Sequence, residues 1–109
     1  MENLPESDWK IFRELRTRAL ERFCQRVLNL IGRIVADTRM TAHECYLDIY
    51  QLIMERDKDL GRAFNDPRRS QMILQLTRIQ SMGLLEPEEF ERFSDATRAK
   101  VSFLLNGGQ

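Results

Sequence analysis

Residues 8–36 read DWKIFRELRTRALERFCQRVLNLIGRIVA, and this stretch decides the fold. Phe12, Leu15, Ala19, Phe23, Val27, Leu30 and Ile34 recur at steps of three or four, the spacing that places side chains on one face of an α-helix. A second apolar line, Leu20, Cys24, Leu28, Ile31 and Val35, runs beside the first through the later half. The front half is therefore read as amphipathic and the back half, apolar over a wide arc, as the core. Ser7 is the expected N-cap, and Asp8 complements the positive end of the helix dipole.

The chain beyond this helix reads as further helices joined by short turns. Thr41 followed three residues later by Glu44 is a capping box, in which each side chain satisfies the other residue's free backbone N–H. Tyr46, Ile49, Tyr50, Ile53, Leu60 and Phe64 continue at helical spacing, while the charged run 55–59 and Gly61 predict a kink or fraying. Asp66 and Pro67 read as N-cap and first residue of a third helix through Met72, Ile73, Leu76 and Ile79 to a C′ glycine, Gly83. Pro87 opens a short acidic turn of helix over Phe90 and Phe93, and Ser94 caps a last helix carrying Val101, Leu104 and Leu105. No stretch alternates apolar and polar residues over strand length. The fold class is all-α, a compact bundle of four to five helices with a long N-terminal helix. Residues 1–7 form an arm, 8–105 one helical domain, and 106–109 a disordered tail.

Composition narrows the function classes. At 109 residues the chain has room for one core, and 17 basic against 17 acidic residues leave no global charge to draw it to a polyanion. No run of eighteen apolar residues is present, and the opening MENLPESDW lacks the basic and apolar regions of a secretory signal, so a cytosolic protein without membrane association is expected. In that reducing compartment Cys24 and Cys45 read as small hydrophobes.

Chemistry-bearing patterns are few. Arg18, Arg22, Arg26 and Arg33 form a stripe along one side of the first helix, able to hold an anion or to pair with the acidic stretches 55–59 and 86–91. Arg68, Gln71, Gln75 and Arg78 share a face of the third helix, and helices two and three together make a candidate helix-turn-helix. Asp57, Asp59 and Gly61 fail the calcium-loop pattern, since the glycine sits at position five and Arg68 occupies position twelve. His43, the single histidine, has no ligand set or catalytic partner at a useful spacing. A non-enzymatic chain without metal or cofactor is expected.

One tension bears on function. A straight helix over 8–36 is ~43 Å long at 1.5 Å per residue, whereas a compact domain of this size is about 34 Å across. The reading that follows is a small helical interaction module or regulatory subunit. Its projecting front half, with Trp9 and Phe12, and its last helices, with Phe90, Phe93 and Phe103, would bury against a second copy or another protein. The alternative is a nucleic-acid-binding regulator that uses Arg18, Arg22, Arg26 and Arg33 or the face of Arg68 and Arg78.

Overall fold

The computed structural model describes residues 4–108. Five α-helices follow one another: α1 (Glu6–Ala36), α2 (Ala42–Phe64), α3 (Met72–Ser81), α4 (Pro87–Phe90) and α5 (Asp95–Leu105), with a 3-10 turn (Arg69–Gln71) leading into α3. The architecture is an all-α bundle with a long N-terminal helix. No helix among the described residues is long and apolar enough to cross a membrane.

Local chemistry explains most boundaries. α2 begins with the capping box read from sequence, the Thr41 N–H donating to Glu44 at 2.8 Å and the Glu44 N–H to the Thr41 hydroxyl at 3.1 Å. α3 ends where Gly83 takes φ +66, with the Leu84 N–H reaching the Ile79 carbonyl, a left-handed closure that a side chain would strain. Glu86 and Glu89 form a second capping box around Pro87, and Ser94 caps α5 by accepting from the Thr97 N–H.

Three boundaries differ from the sequence reading. α1 starts at Glu6 with Pro5, not Ser7, at its cap, because the proline's fixed φ already suits the extended cap position and its carbonyl takes the Asp8 and Trp9 N–H groups. α2 runs unbroken past Gly61 to Phe64, whose burial with Ala63 ties the end down. Asp66 and Pro67 do not open α3. Asp66 sits at φ +52, a left-handed turn that aspartate tolerates, and helical structure resumes only after Arg68, with the Gln75 side chain donating to the Asn65 carbonyl at 2.6 Å. Of the proposed arm, Met1–Asn3 lie outside the described residues and Leu4 packs on the core. Asn106 to Gly108 close α5 with backbone bonds to Ser102, Leu104 and Phe103, and Gln109 of the proposed tail lies outside the described residues.

The core gathers at one end. Phe12, Leu15, Ala19 and Phe23 of α1 meet Ala63 and Phe64 of α2, Met72, Leu76 and Ile79 of α3, then Leu84, Phe93 and Val101. Each of the Phe, Leu, Ile, Val and Met side chains contributes roughly 1.5–3 kcal/mol by leaving water, and the two alanines less. α2 runs back along α1 and delivers the chain to the front end, so α3 to α5 pack there and nowhere else. Between Cys24 and Arg62 no side chain is fully buried. The molecule therefore measures 53 × 25 × 23 Å, with a radius of gyration of 16.8 Å against about 13 Å for a compact chain of this length. The expected projection is present at the opposite end from the one read in sequence. The back half of α1 is not the core: it forms, with α2, a two-helix arm.

Candidate interaction surface

Two apolar stripes lie side by side along this arm. On α1, Cys24, Leu28, Ile31 and Val35 repeat at steps of four, three and four; on α2, Tyr46, Tyr50, Ile53 and Leu60 share one side, interrupted by the charged Asp57. The Cys45 thiol lies 3.5 Å from the Ile34 carbonyl, so the start of α2 stands level with the end of α1. A groove of about 240 Å³ follows the seam, walled by Cys24, Leu28 and Ile31 on one side and Ile53, Arg56, Asp57 and Leu60 on the other. Tyr46 is 67% exposed, Val35 65%, Leu28 58% and Tyr50 56%, values ordinary for surface lysines and unusual for a cluster of large apolar residues. Leu47 and Met54, also exposed, widen the α2 side.

Charge enters this face at Arg56 and Asp57, which line the groove. Towards the arm tip, Leu28, Ile31, Gly32 and Val35 on α1 and His43, Tyr46, Leu47 and Tyr50 on α2 include no Asp, Glu, Lys or Arg, the depletion that marks the centre of a protein interface. Arg18, Arg22 and Arg26 stand on the other side of α1, roughly 150° around the axis at 3.6 residues per turn.

Those arginines fasten the body to the helix. Arg22 donates to Glu89 at 2.6 Å and to the Leu84 carbonyl at 2.8 Å. Arg26 donates to the Met82 and Gly83 carbonyls at 2.6 and 2.7 Å, capping the negative end of α3. Arg18 lies between Glu89 at 3.2 Å and Glu14 at 3.4 Å. The Arg22 guanidinium, working against burial and helped by the Glu86 N–H and Arg18, holds the Glu89 carboxyl at about 2. Three of the four arginines read as an anion stripe are thus committed within the chain. Arg33 is exposed and reaches no partner among the described residues.

The remaining candidates separate. Phe12 and Phe93, read as exposed anchors, are 1% and 2% exposed and belong to the core, so they have no surface to offer. Trp9 is half-buried, stacked on Phe12 at 5.8 Å with the Arg13 and Arg69 guanidiniums over its ring, and Phe90 is half-buried against Phe93 at 6.2 Å. Phe103 is exposed and lines a separate depression with Ile73, Ala99 and Leu104. Arg68 pairs with Asp66, while Arg78 is exposed. Gln75, placed by sequence on the base-reading face, is buried and donates to the Asn65 carbonyl, which breaks up that face. His43 is exposed, Cys24 and Cys45 are free thiols, and no group of three or more His, Cys, Asp or Glu among the described residues is placed to hold a metal.

The sequence reading missed Tyr46, Tyr50, Ile53 and Val35 as surface residues. The signal was present in the second apolar line of α1, which is wider than one neighbouring helix can cover. Comparison with family models, curated proteins and solved structures finds no match for this chain.

Proposed function

We propose that this chain is a non-enzymatic helical interaction module that self-associates through the apolar side of its α1–α2 arm. The observation that carries the reading is the uncharged surface formed by Leu28, Val35, Tyr46 and Tyr50 on the side of α1 away from the arginines that hold the body. Leu47, Ile53 and Met54, each about half exposed, extend this surface along α2. Two helices side by side bury one seam and leave their second apolar lines in water, whereas four close a shared core. Tyrosines suit such a surface, supplying apolar area with a hydroxyl that stays wet at the rim.

Light scattering at micromolar concentration tests the reading. The wild-type chain is expected to show twice its 12.9 kDa mass, and Tyr50→Asp, which places a charge on the face without touching the core, to return it to the monomer. A wild-type monomer at 100-fold higher concentration, or a Tyr50→Asp chain that stays dimeric, removes it.

A further inference from the structure

We infer, on the self-association reading above, that one pair of charges exchanged between copies selects the partner: Arg56 of each chain meets Asp57 of the other where the apolar face closes.

Arg56 stands on the seam between α1 and α2. On the apolar face it lines the groove of about 240 Å³ together with Asp57, and on the other side of the seam it lines a groove of about 300 Å³ with Arg26 and Asp59. The other half-buried arginines each hold an oxygen of the chain: Arg16 the Phe64 carbonyl, Arg22 the Glu89 carboxylate and Arg98 the Phe93 carbonyl. Arg56 is half-buried and holds none among the described residues, and Asp57, exposed beside it, meets no cation there. The two cannot serve each other, since consecutive residues on a helix point in different directions.

Closing the face changes what these charges need. A second copy laid over Leu28, Ile53 and Leu60 takes water from both groups, and a covered ion needs an opposite charge in place of its hydration. The covering surface is a copy of the covered one, so in a two-fold interface each chain offers what it also receives. One cation beside one anion is self-complementary, and the exchange satisfies all four ions. No other charge on the face competes for them towards the arm tip, where Leu28 to Val35 and Tyr46 to Tyr50 turn no Asp, Glu, Lys or Arg to this side. Towards the body the nearest acid on α1, Glu21, already lines a depression with Arg18 and Arg22. An apolar face alone accepts any apolar surface, whereas Arg56 and Asp57 penalise one that brings no matching charges. The occupant that matches both is a second copy of this chain.

Exchanging the charges between two chains tests the pairing. Arg56→Asp puts two acids at each groove and Asp57→Arg two bases, so each variant opposes itself and complements the other. Native mass spectrometry separates mixed from unmixed dimers, because the variants differ in mass. Each variant alone is expected to associate at least about tenfold more weakly than wild type, and their equimolar mixture to form dimers holding one chain of each. The chain carrying both changes, with the pair restored in reverse, is expected to associate like wild type. Single variants that associate as well as wild type, or a mixture that stays monomeric while both chains keep wild-type helix content, overturn the pairing and leave self-association standing. A double variant that is monomeric also contradicts it. A wild-type chain that is monomeric at every concentration overturns self-association itself.

Discussion

The Thr97 hydroxyl donates to the Asp8 carboxylate at 2.6 Å, joining the first turn of α1 to the first turn of α5 across 89 positions. The same carboxylate accepts from the Ser94 hydroxyl at 2.6 Å and the Ser94 N–H at 2.9 Å, and Asp8 itself is 1% exposed. Burial acts to raise the Asp8 pKa, but the three donors outweigh it and hold the carboxyl below its usual value. Asp8→Ala would strand those donors inside the fold. The expected loss is about 2–4 kcal/mol in urea unfolding, with Asp8→Asn recovering part of it; a loss below about 1 kcal/mol for Asp8→Ala would show that the latch is not structural.

Glu89 links pH to stability in one direction. Its folded pKa of about 2 lies below the ordinary 4.5, so the unfolded chain takes up a proton more readily and acid favours unfolding. The contribution is complete above about pH 4.5 and drains away as pH falls towards 2. Arg22→Ala, which leaves Glu89 half-partnered, is expected to lower stability at pH 7 by roughly 2–3 kcal/mol and to flatten the acid limb between pH 4.5 and 2. Urea midpoints measured across that range check both, and an unchanged slope in the variant contradicts the assignment.

Phe12 and Leu28 belong to the two apolar lines of α1, about 160° apart at 3.6 residues per turn, and occupy different environments, 1% and 58% exposed. In dilute protein, Phe12→Ala should cost about 3–5 kcal/mol by opening a cavity, whereas Leu28→Ala should stay within about 0.5 kcal/mol. At high concentration Leu28→Ala should instead weaken the proposed self-association. Equal costs in dilute protein would contradict the separation of core from arm.

Gly83 closes α3 at φ +66, with its added Cβ position open except for Arg26 at 3.9 Å. Gly83→Ala therefore meets backbone strain more than crowding, and should cost about 1–2 kcal/mol in thermal or urea unfolding while leaving self-association intact. A neutral effect would mean that the turn relaxes into another conformation.

Much of the fold was legible because its determinants are local. The Thr41–Glu44 box, the Gly83 closure, the Pro87 start and the Ser94 cap each depend on residues within four positions, and α1 follows from a run of apolar spacing in one segment. What escaped the sequence is set by how long the helices are and where the later ones land. Periodicity marks Phe12 and Leu28 equally as apolar, and only the return of α2 to Phe64 decides that α3 to α5 gather around the first and leave the second in water. The Pro67 start failed for a related reason: the Asp66 turn and the Gln75 bond to Asn65 are tertiary choices. The arginine stripe was visible, and so were two acidic stretches able to neutralise it, but not that Glu89 and the carbonyls at the end of α3 are what it holds.

The chain's only two tyrosines, Tyr46 and Tyr50, both stand on the arm, so tyrosine nitration as a function of protein concentration reads the proposed surface and nothing else. If a second copy covers that face, the reactivity of both rings falls several-fold between dilute and concentrated protein, in step with the rise in mass. Nitration that stays equally fast at every concentration, with Tyr46 and Tyr50 as open in concentrated solution as in dilute, contradicts it.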